Sequence, residues 1–304
     1  MTFDPWFGVA VGSGVDRVIA SLPVNGCGRR GEMAGVRVTM TSVAAWTGRV
    51  NEDFVGVLPG AAVLVDGAGI PGTEAICRHG VAWYAGRLGG SLLGLLPFAP
   101  ERSLTALLAE AIGQVTDAHR DTCDVADPIS PSAAVAVMRL SGGYLDHLVL
   151  GDSLVVLDVL DGTPVVVSDP RETDVSRPYR TVLEALPAGG DEYRRLLSDM
   201  RANRNRPGGF WVAKDDPRAA DEAITGSRPV SEVTGVALLS NGAGRIVDPF
   251  RLADWPEVMV TLAAVGPVGL VERVRRAEAH RAVTADDATI AYCSGLDEDR
   301  PPSV

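Results

Sequence analysis

The chain has 304 residues, of which 46% are apolar, 22% charged and 5% aromatic. That composition belongs to folded globular proteins and not to charge-rich disordered chains, and the length suffices for a sizeable core in one or two domains. The 28 basic and 39 acidic residues leave a net charge of −11, a field that repels a phosphate backbone and an anionic membrane surface alike, so neither nucleic acid nor a membrane is an expected partner.

Residues 1–20 carry Asp4 as their first charge and lack the basic start of a secretory signal. No apolar run reaches the roughly 18 residues that would cross a bilayer. A cytoplasmic location is expected. Lys214 is the one lysine, so the other basic residues are arginines, a skew expected of a GC-rich bacterial genome. Cys27, Cys77, Cys123 and Cys293 are scattered, with no C-x-x-C pair and no histidine at zinc-ligand spacing, and read as buried thiols in a reducing compartment.

Residues 1–35, punctuated by Gly26, Gly28 and Gly31, show no period and read as an N-terminal extension of uncertain structure. The β-branched run 36–44 predicts a strand, and 54–66 predicts two strands joined at Pro59-Gly60. Beyond Thr73, a candidate N-cap, an apolar-periodic segment towards Leu96 and a second over 103–124 predict two consecutive helices. Short strand-like runs at 133–140, 144–150, 154–160 and 164–168, parted by Gly-containing turns, predict an antiparallel meander. The Arg-rich stretch 169–207 predicts one helix near 192–202, with 201–206 as its solvated end and with a lesser claim to contact a phosphopeptide. Strands are then expected at 210–213 and 236–239, helices at 255–265 and 267–280, and a strand at 288–292, before a flexible tail over 295–304. Strands in runs, then paired helices, then strands again predict an α+β layered fold; alternating β-α-β units would instead imply a parallel sheet.

Four acidic motifs stand at the ends of predicted strands: Asn51-Glu52-Asp53, Asp66-Gly67, Gly151-Asp152-Ser153 and Asp286-Asp287-Ala288-Thr289. Carboxylates at strand ends can converge on a cleft, where they repel one another unless a divalent cation neutralises them, and an all-oxygen set suits Mg²⁺ or Mn²⁺. Singly, an Asp beside a Gly is most often a turn former. Gly67 to Gly72 also spells G-x-G-x-x-G, but no acidic residue follows at the spacing a dinucleotide ribose requires. No G-x-S-x-G and no H-E-x-x-H occurs. His79, His119, His147 and His280 read as structural or surface residues, His79 with a minor claim to a site, and Trp83 and Tyr84 read as core.

The ordered set NEDF at 51–54, VLVDGAG at 63–69, GDS at 151–153, ALLSNGA at 237–243 and DDATIAY at 286–292 resembles the metal-dependent protein Ser/Thr phosphatases of type 2C, the PPM family, over about residues 36–294. RIVDPF, ADWPEVM, GPVGLVERVRRAEAHR and HGVAWYAGRLG resemble an actinobacterial branch of it. The resemblance implies two antiparallel β-sheets packed as a sandwich and flanked by helix pairs. It implies hydrolysis of phosphoserine or phosphothreonine in a phosphoprotein substrate by a metal-activated water. Two Mn²⁺ or Mg²⁺ ions are implied, with a third held more weakly. Asp66 would bridge two ions, the Gly67 carbonyl, Glu52 and Asp53 would serve one, Asp286 the other, and Asp152 the third.

Three positions depart from the family pattern. Asn241 stands where the family's Ser-Asp-Gly places a ligand carboxylate, so that ion should be held less tightly. Gly48 takes the place of a phosphate-gripping arginine, leaving Arg49, offset by one, as the candidate substrate-binding residue. Ala68 replaces a histidine found in many eukaryotic members. The alternative implied by Asn241 and the displaced arginine is a weak or inactive pseudophosphatase that binds phosphoproteins or partner domains.

Overall fold

The computed structural model describes residues 9–11 and 36–296, except 70, 71, 161 and 188. The extension expected over 1–35 therefore falls, but for β1 (Val9–Val11), outside the described residues, as do Cys27 and the tail beyond Leu296. β2 (Arg37–Val43) lies where the β-branched run predicts it. The expected hairpin forms as β3 (Phe54–Leu58) and β4 (Ala61–Ala68), with Gly60 in the left-handed region (φ 79°) that the tight turn requires.

The single helix expected from Thr73 to Leu96 is broken. One turn, α1 (Thr73–Ile76), ends at an extended Cys77, and α2 (Gly80–Leu95) begins only after Gly80 takes a φ of 78° that no α-helix contains. Thr73 is the first residue of α1 and not its cap; its hydroxyl donates to the Ile129 carbonyl at 3.0 Å. In α3 (Leu104–His119) the Ser103 hydroxyl caps the start by accepting from the Ala106 N–H at 3.1 Å. This helix stops short of the expected Asp124 because the chain turns back, the Asp124 N–H donating to the Ile76 carbonyl.

β5 (Ser132–Ser141), β6 (Tyr144–Leu150), β7 (Leu154–Val159) and β8 (Val165–Val167) follow as predicted, but not as one meander. β5 pairs with β6 in one sheet and β7 with β8 in the other, the chain crossing between sheets at Gly151-Asp152-Ser153. Turn residues mark where a chain bends and carry no information on whether the next strand stays in its sheet.

The stretch 169–207 holds two helices where one was expected: α4 (Arg171–Ala185) precedes α5 (Asp191–Arg201). α4 is polar and contains Pro178, so no apolar stripe announces it. Residues 210–213, expected as a strand, make only isolated bridges. β9 (Ile224–Pro229), an edge strand beside β6, was not anticipated. β10 (Val233–Leu239) leads into the one-turn α6 (Asn241–Gly244). α7 (Trp255–Arg281) opens with a capping box between Asp254 and Glu257 and breaks at Gly266 (φ 77°) before Pro267, which divides it into the two helices the sequence predicts. β11 (Ala288–Ser294) completes the described chain.

The sheets run β1-β3-β4-β5-β6-β9 and β2-β11-β10-β7-β8, antiparallel throughout. They pack face to face as a sandwich with helices outside, in four layers. Alternation along each strand explains the layering. Ala62 and Leu64 of β4 enter the inter-sheet core with Met40, Met138, Leu157 and Leu238, while Val63 and Val65 face Leu88, Leu92, Leu107 and Leu108 of α2 and α3. On the other side Ala237, Leu239 and Ile290 meet Val258, Leu262, Leu270 and Val274 of α7. Each central strand is buried on both faces, which is why its sequence is a continuous apolar run.

Candidate functional site

Strand register delivers the acidic residues to one end of the sandwich. In the first sheet Phe54 pairs with Val65, Asp66 with Ala134, and Val135 with Leu150, so Asp53, Asp66 and Asp152 all lie where the strands meet the same edge. In the second sheet Leu239 stands between Leu154 and Ile290, which brings Asn241 and Asp286 to the corresponding edge.

The charges converge. The Asp66 carboxyl is held well above the usual carboxylate range by burial and then by repulsion from Asp53, Asp152 and Asp286. Burial, with repulsion from Asp287 and Asp286, pushes Asp53 up to about 7. Asp152 is raised by burial and by Asp286, and Glu52 by burial, partly offset by Arg49. Asp53 is 4% exposed, and its Oδ2 is buried with no hydrogen-bond partner. Leaving such an atom unmade is costly.

A polar scaffold holds the loop that carries Glu52 and Asp53. Buried Asp287 accepts the Ala45 N–H at 2.8 Å and the Glu52 N–H at 2.7 Å. Asn51 accepts the Asp53 N–H at 3.0 Å and donates to Ser42 Oγ at 2.7 Å, which in turn meets Thr289 Oγ1 at 2.7 Å. Two glycines allow this closeness. A Cβ on Gly67 would stand 2.3 Å from the Glu52 carbonyl oxygen, and one on Gly242 would stand 2.0 Å from that of Asp287. Both contacts are with backbone, so neither can yield.

The departures from the family pattern have structural consequences. Asn241 links two carboxylates, its backbone N–H donating to Asp66 Oδ2 at 2.8 Å and its side-chain amide to Asp152 Oδ2 at 2.6 Å. Arg49 is exposed, lies 4.8 Å from the Trp46 ring centroid and pairs with Glu52 at 3.0 Å. It lines a cleft of about 520 Å³ together with Glu52, Gly69, Thr73, Gly80 and Val81.

Several residues here carried no signal in the sequence. Arg245 donates to Asp286 at 2.9 Å and is anchored by buried Glu278 at 2.9 Å. Residues 201–206, expected as a solvated helix end, include the buried Arg201 and the half-buried Arg204. Arg201 donates to the Gly69 carbonyl at 3.0 Å, while Nε and Nη1 of both Arg201 and Arg204 are buried without partners. Their charges act on Glu52 and Asp152 respectively, and on Glu172 of α4, whose carboxyl burial pushes up to about 8. His79, given a minor claim to this site, stands instead beside Cys77 and Cys123. Tyr84 is core, as expected, and Trp83 packs against it partly buried.

The donors fit hard divalent cations. They are carboxylate oxygens, an amide and the carbonyl of Gly67, with one buried carboxylate oxygen lacking a partner, and such all-oxygen sets select Mg²⁺ or Mn²⁺ over softer metals.

No family model and no curated protein matches the chain. Solved structures do. The Mycobacterium tuberculosis serine/threonine phosphatase PstP/Ppp is 15% identical over 85% of this chain and 98% of its own, with a TM-score of 0.54. The catalytic domain of PstP in complex with two manganese ions gives 15%, 85%, 97% and 0.53. The PPM Ser-Thr phosphatase MsPP from Mycobacterium smegmatis, in complex with cacodylate, gives 17%, 84%, 97% and 0.51. The α+β sandwich of two antiparallel sheets flanked by helices is therefore the fold of the PPM Ser/Thr phosphatases, and this chain has it.

Proposed function

We propose that residues 36–294 form a Mn²⁺- or Mg²⁺-dependent phosphatase that hydrolyses phosphoserine or phosphothreonine in proteins, in the cytoplasm. The observation that carries this reading is the convergence of Asp53, Asp66 and Asp152, with Asp286 beside them, on one edge of the sandwich, where burial and repulsion leave the first three in need of cations. The PstP structure with two manganese ions supports the choice of metal.

Asp66, with Gly67, Glu52 and Asp53 on one side and Asp286 on the other, would hold two ions, and Asp152 with Asn241 a third. Ions so held supply Lewis acidity, activating water as a nucleophile and offsetting charge on the phosphoryl oxygens. The chain's own residues do the positioning. Asp287 fixes the Glu52-Asp53 loop through two backbone N–H groups. Arg201 and Arg204, whose charges act on Glu52, Asp152 and Glu172, would draw the phosphate towards the acidic centre by their field. Arg49, at the cleft wall, contacts the approaching phosphopeptide. Water oxygen bonds to phosphorus as the ester oxygen leaves, and the displaced alkoxide takes up the proton.

Asp66→Asn tests the reading. Hydrolysis of a phosphoester and thermal stabilisation by Mn²⁺ should vanish together, since a ligand that binds only the native state raises stability by mass action. A variant with wild-type activity, or a wild type whose melting does not respond to Mn²⁺, would overturn it. A wild type stabilised by Mn²⁺ but unable to hydrolyse any phosphoester would instead establish the pseudophosphatase reading.

A further inference from the structure

The break between α1 and α2 and the loop after α3 bring two thiols and an imidazole together, outside the acidic cleft. Cys77 Sγ lies 3.9 Å and Cys123 Sγ 3.3 Å from His79 Nδ1, and the three atoms are within 4.8 Å of one another. Among the described residues this is the one group of three His, Cys, Asp or Glu side chains brought so close. Tetrahedral zinc, with bonds of about 2.3 Å to sulfur and about 2.0–2.1 Å to nitrogen, sets its ligand atoms roughly 3.5–3.8 Å apart. The observed spacings bracket that range.

The surroundings orient the three donors. The His79 ring stacks on Trp83, with centroids 4.4 Å apart and planes at 27°, and meets the His119 ring edge-on at 6.0 Å. Thr122 Oγ1 lies 3.7 Å from Cys123 Sγ. Outer contacts of this kind fix a ligand's direction. Cys77 is buried and Cys123 half-buried, a three-donor set that leaves a position for water.

We propose that Cys77, His79 and Cys123 form a second metal site, selective for a thiophilic cation of the zinc class and distinct from the oxygen-rich centre. Soft thiolates select such ions against Mg²⁺ and Mn²⁺. The bound ion staples the start of α2, whose Gly80 and Val81 wall the cleft with Arg49 and Glu52, to the loop beyond α3. The sequence hid this site because 44 residues separate His79 from Cys123. Cys77 and Cys293 are buried free thiols, as expected, whereas Cys123 is only half-buried.

The test titrates Co²⁺ into the reduced, metal-stripped full chain and follows the near-ultraviolet charge-transfer band that only thiolate ligation produces. One equivalent should develop the band, Zn²⁺ should bleach it, and Asp66→Asn should keep it. Cys77→Ser with Cys123→Ser should abolish it. His79→Gln, which spares both thiols, should weaken Co²⁺ affinity by more than about tenfold, the least that losing even an outer contact costs. Absence of the band in the reduced wild type, its survival in the double variant whether or not that variant melts normally, or recovery of Cys77 and Cys123 as a disulfide under mild reductant would overturn the proposal.

Discussion

The sharpest test of the acidic centre is Asp53→Asn, because it should help the metal-free fold and harm the metal-loaded one. Asp53 is 4% exposed, its Oδ2 has no partner, and burial, with the charges of Asp287 and Asp286, moves its carboxyl from 3.8 to about 7. A carboxyl that binds its proton more tightly in the folded state contributes stability that is complete below its unfolded value and is lost as pH rises through its folded one. Metal-free protein should therefore lose stability as pH climbs from about 4 to about 7, and above that range the ionised side chain costs the fold on the order of 4 kcal/mol. Asparagine keeps the shape and removes the ionisation. Its amide is still a buried polar group short of a partner, at a cost of about 1–2 kcal/mol. The net gain of roughly 2–3 kcal/mol should appear as a rise of about 3–5 °C in melting temperature at about pH 8 with chelator present, since about 2.1 cal/mol/K per residue over 304 residues makes each kcal/mol worth about 1.6 °C. The gap should narrow as pH falls towards about 5, where the wild-type carboxyl is protonated. With millimolar Mn²⁺ the order should reverse, since only the wild type gains from the ion. Differential scanning fluorimetry of both proteins across pH, with chelator and with Mn²⁺, reads all of this. A variant less stable than wild type in chelator at the higher pH would show that Asp53 is not an uncompensated buried charge.

Two further outcomes are expected. Asn241→Asp exchanges an amide that donates to Asp152 at 2.6 Å for another carboxylate, so metal-free stability should fall while the half-saturating Mn²⁺ concentration in a phosphatase assay drops roughly ten- to hundred-fold, the equivalent of about 1–3 kcal/mol; unchanged metal dependence would remove position 241 from the site. Arg201→Gln combined with Arg204→Gln should raise KM for a phosphopeptide about tenfold or more, the equivalent of about 1.4 kcal/mol of lost attraction for the phosphate, while leaving the Mn²⁺-induced melting shift intact; an unchanged KM would return these arginines to a structural role.

Local pattern determined much of this protein. Apolar, β-branched runs parted by turn residues announced β2 to β8, β10 and β11, Gly266-Pro267 announced the break in α7, and acidic residues at strand ends, two of them beside glycine, made Asp53, Asp66, Asp152 and Asp286 candidates. These signals are legible because each arises within a few residues, from β-branched side chains, a fixed proline φ or a glycine turn. The tertiary structure alone decided which sheet each strand joins, sending β7 and β8 across from β5 and β6. It alone folded the polar α4 against α5, set Arg201 and Arg204 beside the acidic centre, placed Arg245 on Asp286, and brought Cys123 to Cys77 and His79. Those contacts join residues tens to more than a hundred positions apart. Their energies depend on burial and on opposing partners that exist only once both sheets are packed, and no local period in a chain can encode them.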